Sequence, residues 1–346
     1  MQTTTIDCLA LGEVMLRFDP GPTRIAEAES FKVWEGGGEY NVARGLARCF
    51  GRRTAIVTAL VDNAVGGLIK NRIAAGGVAT GFIRWQQDDG IGEACRNGSY
   101  FLERGFGLRP ALGVSDRGHS AVSQLRPGDI DWEGIFSEHK VCWFHTGGIM
   151  AGLSPSSPEV IIEAMEAARR HNVTVSYDLN YRSSLWQRFG GKQKAEEVNR
   201  TILPHVDVLF GVESLALHPS DLDSEPFCLA IDKTAGEYPG LTTIATTMRI
   251  VRTATCNDWS GLLWHKGRFY QGPGFPSLEI YDRVGGGDAF AAGIVHGLLA
   301  GISPQKAIDY GVVHGMLTMT TPGDNSMFTL AELDRFMANS DPGVIR

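Results

Sequence analysis

Asp288 stands directly behind three glycines, Gly285, Gly286 and Gly287, and directly ahead of an apolar run, Ala289, Phe290, Ala291, Ala292, Ile294, Val295, Leu298 and Leu299. The run has helical spacing, and Gly301 with Pro304 closes it, so a helix is expected from about Asp288. The first turn of a helix carries N–H groups with no intrahelical partner, and the dipole adds partial positive charge there. Glycines allow a phosphate to approach such amides closely. A carboxylate among them would repel a resting phosphate, but it can take the proton from a hydroxyl that attacks one. These residue types therefore suit phosphoryl transfer to an alcohol. Aspartate is also a favoured N-cap and glycine ordinary turn material, so plain capping is the competing explanation.

A second polar group falls within VSYDLNYRSSLW at 175–186, where a buried strand is expected to deliver Asp178, Asn180 and Arg182 at alternate positions. A guanidinium there can hold a carboxylate or a phosphate bidentately. The alternative is a structural Asp–Arg pair at a strand end.

The elements around these residues alternate. Short apolar runs predict strands over 6–11, 54–61, 141–145, 173–177, 206–210 and 241–247, with helices over 65–75 and 158–171. Gly36–Gly38 precede a helix expected from about Asn41 to Cys49, and a further helix is expected from Ser303–Pro304 to about Met319. Thr329 and Glu332 form a capping box for the last one. Such alternation argues an α/β fold, a mostly parallel sheet with helices on both faces, and a ligand beyond the strand C-termini. The stretches 14–35 and 92–118 break the pattern with aromatics, glycines and prolines.

The stretch DRVGGGDAFAAG at 282–293 resembles the C-terminal signature of the PfkB, or ribokinase-like, carbohydrate kinases, usually written D-T-x-G-A-G-D. Arg283 replaces the usual Thr and Gly286 the usual Ala. GGGEYNVARGLARCFG at 36–51 is similar to the family's N-terminal Gly-Gly and Asn signature. The resemblance covers nearly the whole chain. It implies one ribokinase-like domain over 1–346, a three-layer sandwich with a mostly parallel central sheet and a small β lid from about 14–35 and 92–118. It further implies ATP and Mg2+ as cofactors, Asp288 as catalytic base, and the amides of Gly285, Gly286 and Gly287 as the anion hole.

By resemblance Gly37 and Asn41 line a sugar site. Tyr100 and Arg117 fall where 2-keto-3-deoxygluconate kinases carry a substrate tyrosine and a carboxylate-binding arginine, although Ser115 stands where those proteins usually have another tyrosine. The segment with Asn180 and Arg182 is similar to their D-x-N-x-R segment, and Asp324 matches an aspartate that reaches the substrate. Asn180, Gly261, Gly285 and Gly287 are the expected nucleotide contacts. Glu213 is the one candidate metal contact left in a degraded N-x-x-E motif. Arg117 and Arg182 together favour an acidic sugar, such as 2-keto-3-deoxygluconate, over fructose, ribose or a nucleoside. A non-catalytic sugar-responsive binding protein on the same scaffold is a further alternative. A homodimer through the lid is also implied by the resemblance.

Composition narrows the field. With 346 residues, 43% apolar and 21% charged, the chain has ample material for a core. A net charge of −7 with scattered Lys and Arg gives no nucleic-acid footprint. The start has no basic n-region and no apolar run approaches ~18 residues, so a cytoplasmic protein with no membrane partner is expected. The six dispersed cysteines include no C-x-x-C pair, which suits free thiols in a reducing compartment. A dehydrogenase of the Rossmann type would place its glycine turn after the first strand, unlike this chain.

Overall fold

The computed structural model describes residues 5–212 and 222–338. The strands that matter for the site are β1 (Cys8–Leu11), β2 (Met15–Asp19), β3 (Lys32–Gly36), β4 (Thr54–Val61), β5 (Ser99–Glu103), β6 (Leu112–Asp116), β7 (Trp143–Gly147), β8 (Thr174–Asp178), β9 (Val208–Phe210), β10 (Thr243–Thr253), β11 (Cys256–His265) and β12 (Arg268–Gln271). The helices are α1 (Gly38–Arg48), α2 (Gly286–Leu299) and α3 (Pro304–Thr318).

The central sheet runs in the order β12-β11-β10-β9-β8-β7-β1-β4. Pairing is parallel from β10 through to β4, while β11 and β12 add antiparallel strands at one edge. Successive residues of these strands enter opposite cores, as the two-residue repeat of a strand requires. Leu9, Phe144, Leu209 and Ile244 go to one core, and Cys8, Trp143, Val208 and Ala245 to the other. Helices cover both faces, giving a three-layer α/β sandwich. On the second face α1, α2 and α3 pack together closely. A Cβ on Gly293 would lie 2.6 Å from the Gly311 nitrogen, and one on Gly45 would lie 3.1 Å from the Cβ of Ala292.

A separate four-stranded sheet has the order β3-β2-β5-β6. Phe18, Phe31 and Phe101 form its aromatic cluster, with Phe18 and Phe101 stacked at 5.0 Å. β6 is exposed along its whole length. The six cysteines form no disulfide.

Three expected boundaries shift. The helix expected from about Asp288 begins at Gly286, because Gly285 takes the N-cap in a left-handed conformation, φ 79°. α1 likewise begins at Gly38, three residues before Asn41. The strand expected over 241–247 runs on to Thr253, since β11 pairs with it as far as Cys256. That last shift moves Gly261 out of a connecting loop and into β11, opposite Thr247.

Candidate active site

β7 and β8 lie side by side, and Gly147 pairs with Asp178 at their C-terminal ends. Beyond this edge the chain turns from Asp178 into Asn180, whose φ of 26° is one that Asn tolerates better than most residues. The Asn180 N–H donates to Asp178 Oδ1 at 3.1 Å and fixes the turn. Arg182 follows as the residue before the short helix Ser183–Trp186.

α2 points its N-terminus at the same edge. Ala289 is the first residue of this stretch to donate back, to the Gly285 carbonyl at 2.8 Å, so the amides of Gly286, Gly287 and Asp288 belong to the unpaired first turn. The three glycines serve different needs. A Cβ at Gly285 would lie 1.8 Å from the Asp324 carbonyl oxygen, and one at Gly286 would lie 2.9 Å from Met319. Gly287 faces open space.

Asp288 sits in that first turn, half-buried. Asn41 Nδ2 donates to its Oδ2 at 2.7 Å. The Asn41 amide is itself oriented by the Gly37 N–H, which donates to Asn41 Oδ1 at 3.3 Å. Removal from water pushes the Asp288 carboxyl up to about 7; Asp178 and Asp324 add to the rise, and Asn41 and Arg182 oppose it. Desolvation also pushes Asp178 up to about 6. A carboxylate that titrates near neutrality suits a base that must first accept a proton and then lose it.

Two cavities meet at Asp288. The smaller, about 220 Å3, is lined by Gly37, Asn41, Tyr100, Arg117 and Asp324. The larger, about 660 Å3, is lined by Thr247, Arg249, Arg283, Gly285 and Gly287. Asn180, Arg182, Val284 and Asp288 border both. All the candidate sugar contacts thus line one cavity, and Asn180, Gly285 and Gly287 line the other.

Gly261 does not join them. A Cβ there would lie 2.6 Å from Phe290 and 2.9 Å from Val312, so this glycine lets β11 pack against α2 and α3. It lines neither of the two cavities that meet at Asp288. Gly286 is buried beneath Met319 and lines neither cavity with a side-chain position. Glu213 lies outside the described residues.

Several partners were not foreseen. Arg17, fully buried on β2, binds Asp282 at 2.5 Å, Asp324 at 2.6 Å and Asp19 at 3.3 Å. Tyr100 donates its hydroxyl to the other oxygen of Asp324, so both polar ends expected to meet substrate are already joined to each other. Arg117 donates through Nε to Glu13 at 2.8 Å. Glu39, buried in the first turn of α1, has one oxygen without a partner, and burial pushes its carboxyl up to about 8. The visible signal for Arg17 and Glu13 was a charge inside an otherwise apolar run next to Gly12; nothing local named their partners.

The donors present fit a polyphosphate: helix-terminal amides, a glycine facing open space, and guanidinium groups beside them. Among the described residues no group of three His, Cys, Asp or Glu is placed to hold a metal ion. Mg2+ that rides on phosphate oxygens keeps most of its waters and takes few protein carboxylates, so it needs no such cage.

A half-buried carboxylate at a helix N-terminus, between a smaller cavity and a larger anion-suited one, suits an alcohol phosphotransferase. The sequence matches the family model described as pfkB family carbohydrate kinase over residues 5–218 and 254–330, and the chain belongs to that family. It is 29% identical over 343 residues to a 2-dehydro-3-deoxygalactonokinase of Haloferax volcanii, covering 99% of this chain and 100% of that one. The crystal structure of a 2-dehydro-3-deoxygluconokinase from Thermotoga maritima is 32% identical, with a TM-score of 0.87 over 96% of this chain and 100% of that one. A structure from E. coli in complex with ATP and Mg2+ shares the fold, with a TM-score of 0.77 at 17% identity over 96% of this chain and 99% of its own.

Proposed function

We propose that this carbohydrate kinase transfers the γ-phosphoryl group of ATP to the primary hydroxyl of a sugar acid, 2-keto-3-deoxygluconate being the foremost candidate, to give its 6-phosphate. The observation that carries this reading is that Arg182 and Arg117 line the same small cavity as Asp288 and Asn41. Two guanidinium groups around one small cavity suit an acceptor that carries a carboxylate. The names of the Haloferax and Thermotoga relatives support the same substrate class.

Asp288 takes the proton of the attacking hydroxyl, with Asn41 holding the carboxylate in place. The amides at 285–288 stabilise the charge that builds on the transferred group. ATP, when bound, supplies that group, and its Mg2+ neutralises phosphate charge. Arg182, bordering both cavities, lies where acceptor and donor must meet. The four-stranded sheet serves as a lid that excludes water, which would otherwise compete as acceptor. The exposed length of β6 supports pairing of this sheet with a second copy, which sedimentation velocity would test.

One observation favours a second reading. Arg117 spends much of its charge on Glu13, which leaves Arg182 as the main cation for an acceptor and weakens the preference for an acid over a neutral sugar. A coupled ADP-release screen separates these readings. The expected result is turnover with 2-keto-3-deoxy acids, little with fructose or ribose, and loss of the acid preference in Arg182→Met. Equal turnover of neutral sugars overturns the sugar-acid assignment, and no ADP release with any sugar overturns the kinase assignment in favour of a binding protein.

A further inference from the structure

The larger cavity holds a feature that catalysis by Asp288 does not use. Arg249 on β10, Arg283 in the turn before α2, and Arg182 beyond β8 all line it. They come from three separate elements, far apart in the chain. Like-charged side chains repel, and bringing three together costs free energy unless something anionic lies between them. Elsewhere in the fold, arginines near the site have carboxylate partners: Arg17 binds Asp282 and Asp324, Arg44 approaches Glu35, and Arg117 binds Glu13. Among the described residues no carboxylate stands within ion-pair distance of Arg182, Arg249 or Arg283. Removal from water, and after it the charges of Arg283 and Arg182, lowers the Arg249 pKa from its ordinary value, which places the three cations within electrostatic reach of one another.

The surroundings say what anion fits. The same cavity is bordered by Gly285 and Gly287 at the N-terminus of α2, where amides and dipole favour negative charge. Asp178 and Asp288 also line it and disfavour an anion lying directly on them, so the three arginines and the helix amides are the groups left to hold one. Thr246 and Thr247 add hydroxyls on the β10 side.

We propose that Arg249 and Arg283 form a cationic cradle for the polyphosphate of the donor, with Arg182 at the boundary between this cavity and the smaller one. This rests on the kinase reading for its biological meaning but not for its test. Arg283 occupies a position where the resembling signature usually has Thr, so the cradle is a property of this chain and not of the signature.

The test uses the full-length protein and inorganic tripolyphosphate as probe, with acceptor absent. Affinity is measured by calorimetry at several salt concentrations for the wild type, Arg249→Met, Arg283→Thr and the double variant, with adenosine as a probe that lacks phosphate. Each single substitution is expected to weaken tripolyphosphate about tenfold and to flatten its salt dependence, while adenosine affinity holds. All three arginines are exposed to the cleft, so the fold is expected to survive, and Arg249→Lys should retain more affinity than Arg249→Met. Unchanged tripolyphosphate affinity and salt dependence in the double variant would overturn the cradle. Because no turnover is measured, failure of the kinase reading shows separately, as tripolyphosphate bound normally by a protein that releases no ADP with any sugar.

Discussion

The Asn41 side-chain amide donates to the Asp288 carboxylate at 2.7 Å, closing a contact between positions 247 residues apart. It ties the first turn of α1 to the first turn of α2, the two places where a glycine-rich loop runs into a helix. Asn41 favours the ionised form of Asp288 against burial, so under the proposed mechanism this one bond helps set the pH at which Asp288 can act as a base.

A pH profile should show it. Asp288 must be deprotonated to act, and its carboxyl is pushed up to about 7, so kcat/KM is expected to fall as pH drops through neutrality. Asn41→Ala removes a donor that lowers this value. The acid limb of the profile should then move to higher pH, with kcat at neutral pH reduced roughly tenfold. An unmoved limb would mean that another group governs it.

The same substitution at two glycines should act in opposite ways. Gly285→Ala meets the Asp324 carbonyl at 1.8 Å and a left-handed φ of 79°, so thermal unfolding should show a loss of at least ~2 kcal/mol. Gly287→Ala meets nothing within 4 Å, so the melting temperature should hold while KM for ATP rises, the methyl group standing at the edge of the larger cavity.

Arg17 holds three buried carboxylates, and removing one partner of a buried charge network leaves the others uncompensated. Arg17→Met is expected to cost about 3–5 kcal/mol in chemical denaturation. Arg17→Lys should cost less, because one ammonium can still neutralise part of the cluster but cannot reach all three acids.

Glu39 gives a stability signature. Its folded-state carboxyl is pushed up to about 8 by burial, against an ordinary value of 4.5, so the folded protein binds the proton more tightly than the unfolded chain does. That stability is fully present below the ordinary value and is lost as pH rises toward 8. Glu39→Gln cannot titrate. Its melting temperature should decline less than the wild type's between about pH 5 and 8. Parallel curves for the two proteins would show that Glu39 is not the group responsible.

How much of this was legible follows from where each cause lies. The strand–helix alternation and the glycine-led helix at Asp288 are local patterns, and they were readable. The helix start was displaced because an aspartate beside a glycine run looks like a cap, whereas Gly285 could adopt the left-handed cap and leave Asp288 inside the first turn. Gly261 presents a related ambiguity. A glycine needed for approach to a phosphate and one needed for approach to Phe290 look alike in sequence. Arg17 could not be paired by inspection, since its partners Asp282 and Asp324 stand 265 and 307 positions away. Arg249 hid in the extended part of β10, where only the fold shows that it turns to the same cavity as Arg283.

The most direct test is Asp288→Asn, with ADP release at saturating sugar acid measured alongside nucleotide affinity by titration. The expected result is a loss of turnover of ~10²–10⁴-fold with nucleotide binding retained, because Asn keeps the shape and the helix amides but cannot take a proton. Turnover close to the wild type's in that variant would contradict the assignment of Asp288 as the base.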